Sequence, residues 1–209
     1  MRKKLTISLI LIGTIIFMIP IAGNLYNAYQ RNKLMREWAH SDYISQDIES
    51  DRVKNYESLA DLFAEDNEPK DKNYRPNMIG TIEISKIGVD IPILNGATKE
   101  DLKWGAGHLK GTAPLGSEGN TALAGHRSYT FGKIFNRLNE VERGDEIIIR
   151  TKDDSFHYKV YDIKVVEPTD FSVLDPKGDR KILTLITCDP IFIASHRLIV
   201  HAEMVESNK

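Results

Sequence analysis

The run FHYKVYDIKVV, from Phe156 to Val166, has a two-residue repeat that changes phase halfway along. Phe156, Tyr158 and Val160 fall on one face of an extended chain, and Ile163 and Val165 continue on the opposite one. Alternation of this kind signals a β-strand, because successive side chains on a strand point to opposite sides. A one-residue slip flips every later side chain, so a bulge or break is predicted near Tyr161 and Asp162. Shorter runs flank it: Thr81 to Ile84, Val89 to Ile93, Thr121 to Gly125 and Glu146 to Arg150 before it, Leu183 to Thr187 and Arg197 to Met204 after it. Turn residues separate them. Seven or eight short strands in about 130 residues make an all-β domain, a barrel or a sandwich, and closure into a barrel is preferred because it leaves no exposed edge. One helical turn is expected, Lys133 to Leu138, in the loop after His126.

The chain has 209 residues, with 28 Lys plus Arg against 30 Asp plus Glu and 41% hydrophobic residues. That length allows one domain with appendages, or two small domains. A formal net charge of -2, with no basic run longer than Arg2-Lys3-Lys4, offers no basis for nucleic-acid binding. The single cysteine, Cys188, excludes an intramolecular disulfide and a Cys-only metal site, so its chemistry is that of one thiol.

Leu5 to Gly23 carries no charge and follows Met1-Arg2-Lys3-Lys4. At ~1.5 Å per residue this run is just long enough for the ~30 Å hydrocarbon core of a bilayer. A cleaved signal peptide is the competing reading, but its apolar region is normally about 7 to 15 residues and ends in a small-x-small site, for which no convincing candidate follows. The basic residues on the short side favour a cytoplasmic N-terminus with the rest of the chain outside, although Arg31, Lys33 and Arg36 act against that bias. The expected organisation is a cytoplasmic N-terminus at 1–4, a transmembrane anchor at 5–23, a stalk at 24–75 and the β-domain at 76–209. Leu25, Tyr29, Leu34, Met35 and Trp38 fall roughly on one helical stripe, so the stalk is expected to begin as a helix. From Ser41 to Lys72 acids are many and apolar residues sparse, which reads as a partly flexible linker. The alternative is that Leu59, Leu62 and Phe63 dock on the β-domain as a lid.

Chemistry concentrates in LAGHRS at 123–128, LTLITCDP at 183–190 and HRLIVHAE at 196–203. A thiol with its ordinary pKa of ~8.5 is mostly protonated at neutral pH, so a nucleophilic cysteine needs a base, a cation or both beside it. Cys188 follows the apolar run Leu183 to Thr187, and His126 follows an apolar strand ending in Gly125. Strand ends that converge on one rim bring such distant residues together. Arg197 opens the last strand on the face opposite Leu198 and Val200, shared with Ile199 and His201, where a guanidinium can hold a thiolate or an oxyanion. The competing readings are a buried, inert Cys188, a turn residue at His126 and a solvated charge at Arg197.

LAGH, then TLITC, then an arginine before an apolar strand, resembles the signature of the sortases, cysteine transpeptidases of Gram-positive cell surfaces, over roughly Met78 to Val205. The resemblance implies a closed eight-stranded β-barrel with short helices, behind an N-terminal transmembrane helix and stalk. It implies a thiol that attacks the Thr carbonyl of an LPXTG-like sorting signal, and a thioacyl enzyme resolved by an amine of a peptidoglycan precursor such as lipid II, or by water when amine is lacking. By the same resemblance Cys188 is the nucleophile, His126 the general acid/base, and Arg197 the residue that positions substrate or stabilises the oxyanion. Ala124, Val166, Pro168, Val173, Leu174 and Ile186, with Phe171, align with positions that line the Leu-Pro pocket in class A enzymes. Ordinary barrel packing is the competing reading for these. The expected partners are surface-protein substrates, the amine acceptor and the membrane, with no cofactor. A catalytically silent anchored β-domain that binds a cell-wall or protein partner is the alternative function.

Calcium-stimulated members carry an acid cluster before the catalytic histidine, whereas this chain has only Glu100, Asp101 and Glu118 there. A calcium ion takes six to eight oxygen ligands, so no metal is expected. GAGHLKGTAPLGSEGNTALAGHRSYTFGKIFNRL, from Gly105 to Leu138, resembles class D more than class A. No second apolar run and no Asp-Pro-aromatic lid point to class C, and the loop from Glu167 to Arg180 is short for the extra helix of class B. His108, near Gly-rich turns, is read as a structural or rim residue, and His157, His196 and His201 as non-catalytic.

Overall fold

In the longest strand, Val160 pairs with Ala202 and Asp162 with His201, which leaves Tyr161 as the extra residue of a bulge. The phase change in FHYKVYDIKVV is that bulge. Tyr158 and Val160 before it are buried, and Ile163 after it packs on the same interior core. Val165 departs from the expectation: it is 51% exposed, although it pairs with the buried Leu198. The computed structural model describes residues 2–40, 74–127, 134–176, 178–191 and 193–208.

Eight strands follow in order: β1 (Met78–Ile84), β2 (Val89–Leu94), β3 (Ala106–His108), β4 (Gly119–Ala124), β5 (Glu146–Arg150), β6 (Ser155–Val166), β7 (Lys181–Asp189) and β8 (His196–Asn208). They close into a barrel in the order β1-β2-β3-β4-β7-β8-β6-β5, with β5 returning onto β1. This is the eight-stranded closed barrel expected from the sequence. Its interior is filled by alternate side chains, among them Ile82, Ile93, Leu123, Ile149, Leu185 and Val200, all fully buried. Burial of each such side chain contributes about 1.5–3 kcal/mol.

The strand β3, the helix between β2 and β3, and the 3₁₀ turns Ser85–Ile87 and Phe171–Leu174 went unread in the sequence. Strands β2 and β3 run parallel and therefore need a crossover, which a short helix (Lys99–Trp104) provides. Thr98 and Asp101 close a capping box around its first turn: the Asp101 amide donates to Thr98 Oγ1 at 3.2 Å and the Thr98 amide to Asp101 Oδ2 at 2.9 Å. At Gly107 in β3 a Cβ would meet the carbonyl oxygen of Gly96 at 2.5 Å, so the close approach of two backbones requires glycine.

The helical turn expected at Lys133 to Leu138 is corrected. Lys133 lies outside the described residues, and the 3₁₀ turn is Leu138–Glu140. Phe135 before it is fully buried; its amide donates to the His126 carbonyl at 3.1 Å and its carbonyl accepts from the Leu138 amide at 3.1 Å, so the chain folds back toward the end of β4 and turns from there into the 3₁₀ segment.

By itself, the N-terminal segment is one helix, Arg2–His40, with a stretch long and apolar enough to cross a membrane. Ile10, Leu11, Phe17, Met18 and Ile19 are each more than half exposed on it. The helical start of the stalk agrees with this. The segment from Ser41 to Lys72, with its Leu59, Leu62 and Phe63 alternative, lies outside the described residues.

Candidate active site

The three strands β4, β7 and β8 are neighbours, with β7 in the middle. Strand side chains alternate, and the interior takes Leu123, Leu183, Leu185, Leu198 and Val200. The residues between them face outward. Ala122, Ala124, Ile186 and Ile199 build a second apolar cluster there with Ala97, Leu102, Leu109 and Val173. His126, Cys188 and Arg197 continue these outward rows by parity.

Register brings them level. β4 and β7 pair in parallel up to Ala124 opposite Ile186, and the Gly125 amide extends the ladder to the Ile186 carbonyl at 3.0 Å. The buried Thr187 hydroxyl donates back to the Gly125 carbonyl at 2.7 Å. Carried two residues past Ala124 and Ile186, that register leads to His126 beside Cys188, at the ~4.8 Å spacing of neighbouring strands. On the other side Cys188 is directly opposite Arg197, and Arg197 is opposite Val166 of β6. A single row thus runs His126, Cys188, Arg197, Val166.

Glycine at 125 is required by packing. A Cβ there would stand 2.5 Å from the Phe135 ring and 2.7 Å from Ile134 Cγ2. These two side chains close the barrel end under the histidine.

The electrostatics of the row favour its neutral form. Burial pushes the Cys188 thiol up from its ordinary value, while Arg197 and then Arg127 pull it down. Burial pushes the His126 imidazole below its ordinary value, and the cations Lys103 and Lys99 add to that. Thiol and imidazole both resting uncharged are therefore the majority state near neutral pH. Arg197 is 3% exposed, and its Nη1 donates to the carbonyls of Ala194 at 2.8 Å and His196 at 2.7 Å, which fixes the guanidinium at the β7–β8 loop.

A second arginine was not singled out in the sequence. Arg127 forms an ion pair with Asp189, with its side chain only 9% exposed, and its Nη1 reaches the Cys188 carbonyl at 3.3 Å. Its place next to His126 in LAGHRS was the available signal, but a charge beside a loop reads equally as solvated surface.

Of the apolar positions singled out, Ala124, Ile186 and Val173 are buried in the outward cluster, and Val166, Phe171 and Leu174 pack partly exposed against it. Pro168 is half-buried and outside that cluster. The loop between β6 and β7 holds only the 3₁₀ turn Phe171–Leu174 among its described residues. His108, away from this row, bonds through Nε2 to the Ala113 carbonyl at 3.0 Å. His196 pairs with Glu167 at 3.1 Å, and His201 is buried against Thr184. Glu100 is paired with Lys103, and Asp101 is occupied by its helix cap and the Tyr74 hydroxyl. Among the described residues no group of three His, Cys, Asp or Glu side chains suited to a metal ion occurs.

A family model, the sortase domain, matches residues 82–205, more than half of the chain. Sortase SrtE1 of Streptomyces coelicolor is 40% identical over 140 residues, which cover 60% of this chain and 40% of that protein. Sortase A of Streptococcus agalactiae is 28% identical over 217 residues, covering 100% of this chain and 86% of that protein. Among solved structures, a sortase D5 transpeptidase from Clostridium perfringens superposes with a TM-score of 0.57 at 34% identity, over 65% of this chain and 84% of that chain. The chain belongs to the sortase family of cysteine transpeptidases.

Proposed function

We propose that this protein is a membrane-anchored transpeptidase that cleaves an LPXTG-like sorting signal after its Thr and transfers the acyl fragment to an amine of a peptidoglycan precursor such as lipid II. The observation that carries this reading is the pairing of Cys188 with Arg197 across β7 and β8, with the β4–β7 register leading from Ala124 and Ile186 toward His126 just past the end of β4.

In the first step the Cys188 thiolate attacks the Thr carbonyl carbon. The oxyanion that forms is stabilised by the Arg197 guanidinium, whose fixed position avoids reorganisation during reaction. His126 as imidazolium gives its proton to the departing amine, the C–N bond breaks, and a thioester remains on Cys188. In the second step the acceptor amine attacks that thioester, neutral His126 takes the amine proton, and the sulfur leaves as thiolate, which restores the starting pair. Water in place of the amine gives hydrolysis. The reactive pair, thiolate with imidazolium, is a minor state because both pKa shifts oppose it.

The Leu-Pro part of the donor is assigned to the apolar surface of Ala124, Ile186, Val173, Val166 and Leu174, with Pro168 at its margin. Anchoring at 5–23, a stalk at 24–75 and a catalytic domain at 76–209 outside the membrane are assigned on the apolar helix and the Arg2-Lys3-Lys4 flank. The test is transfer by the full-length protein in detergent micelles, with LPXTG-like peptides ending in Gly or Ala and diaminopimelate or triglycine as acceptor. A peptide-amine product is expected. Hydrolysis alone at saturating amine contradicts transpeptidation, and intact donor contradicts the sorting-signal reading.

A further inference from the structure

The β6–β7 loop carries Val173 and Leu174, and a buried amide on β4 holds its backbone. Asn120 is 3% exposed, and its Nδ2 donates to the carbonyl of Val173 at 2.9 Å and to that of Asp175 at 3.3 Å. Both amide protons are thereby committed to the loop. Its Oδ1 accepts the hydroxyl proton of Thr184 on β7 at 2.6 Å. With that proton used, the Thr184 oxygen accepts from His201 Nδ1 on β8 at 2.9 Å, so His201 carries a proton on Nδ1. The result is a directed chain of hydrogen bonds from β8 through β7 and β4 into the loop, with both carbonyls satisfied at its end.

Asn120 is remote from the chemistry. It shares the outward face of β4 with Ala122, Ala124 and His126, and at ~3.3 Å per residue it lies about 20 Å from the histidine. Whatever it contributes to turnover passes through the loop.

We propose that Asn120 is a positioning residue for donor recognition. Its carboxamide clasps the backbone on both sides of Leu174 and holds Val173 and Leu174 against Ala124 and Ile186, so that the apolar seat exists before the donor arrives. This rests on the sorting-signal reading given above. A pre-formed loop spares the cost of ordering it at each binding event, and that saving enters KM for the donor. The row on β4, β7 and β8 does not depend on the clasp, so kcat is left nearly unchanged.

Asn120→Ala removes the clasp, and Asn120→Asp keeps its shape while replacing both donors with an acceptor that repels the two carbonyls. Loss of two hydrogen bonds predicts a donor KM raised about tenfold in both variants. The acceptor KM and the rate of Cys188 alkylation by iodoacetamide stay at wild-type values. Hydrogen exchange at residues 171–175 quickens. Thr184→Val, which leaves Asn120 Oδ1 without its donor, gives the same pattern more weakly, and Thr184→Ser, which keeps the hydroxyl, restores wild-type KM. Wild-type donor KM in both Asn120 variants, with the wild type turning over, overturns the proposal alone. Equal losses in kcat, alkylation rate and thermal midpoint overturn it in favour of general destabilisation. A wild-type protein without turnover overturns the sorting-signal reading, and the proposal with it.

Discussion

The two faces of β4, β7 and β8 come from the same strands and have opposite compositions. The inward face is mainly apolar, with Leu123, Leu183, Leu185, Leu198, Val200 and Ala202; its two threonines, Thr121 and Thr187, each donate the hydroxyl to a backbone carbonyl. On the outward face Asn120, Thr184, His201, Cys188 and Arg197 alternate in space with Ala122, Ala124, Ile186 and Ile199. A two-residue period lets one strand serve both purposes. Stability resides mainly on one side and chemistry on the other, and the polar groups of the outward face are tolerated because they bond to one another and to backbone.

Loss of the proposed nucleophile should separate the faces most sharply. Cys188→Ala should lower turnover by more than about 10⁴-fold while the thermal midpoint stays near that of the wild type, measured by peptide transfer and circular dichroism. Arg197→Ala should lower kcat by about 10² to 10³-fold, the range for losing an oxyanion donor. Arg197→Lys keeps the charge but not the planar fork, and falls between these limits. The converse substitution is on the inward face. Leu185→Ala should cost about 2–5 kcal/mol of unfolding free energy by denaturant titration, with kcat retained by the folded fraction. A large loss of kcat at full folding in Leu185→Ala would break the division between the faces.

The smallest effect sharpens the electrostatics of the row. In the proposed mechanism His126 acts protonated and Cys188 deprotonated, so kcat/KM should be bell-shaped in pH. Its acid limb follows the imidazole, held low by burial and the two lysines, and its basic limb follows the thiol, held high by burial. Lys103→Gln removes a cation that disfavours the imidazolium. The imidazole pKa then rises, and the acid limb should move to higher pH by about a few tenths of a unit.

Most of the barrel was legible in the sequence because seven of its strands alternate cleanly or form short apolar runs. Even the bulge at Tyr161 was written in the phase of β6. β3 was not legible: Ala106–His108 is three residues long, two of them small, and nothing alternates over so short a span. The helix before it left a trace, Thr98 and Asp101 at capping-box spacing, but six residues hold too little periodicity to support it. The candidate row was legible through three short motifs, whereas its mechanism of assembly was not. Parallel pairing of β4 with β7 is a long-range fact, and it is the continuation of that register past Ala124 and Ile186 that leads residues 126 and 188 toward each other. The roles of Asn120 and Arg127 are likewise tertiary, since an amide in SEGN and a charge in AGHRS have many innocent uses.

The central claim, that the outward row carries out acyl transfer on sulfur, is tested most directly by intact-protein mass spectrometry of the full-length protein. Donor peptide is added without amine, and the reaction is quenched in acid. With one cysteine in the chain, the assignment is unambiguous. The account predicts a mass gain equal to the donor fragment ending in Thr, mapped to Cys188 and discharged as peptide-amine product when an amine is added. A folded protein that cleaves the donor without an adduct, or that carries the adduct on another residue, would contradict it.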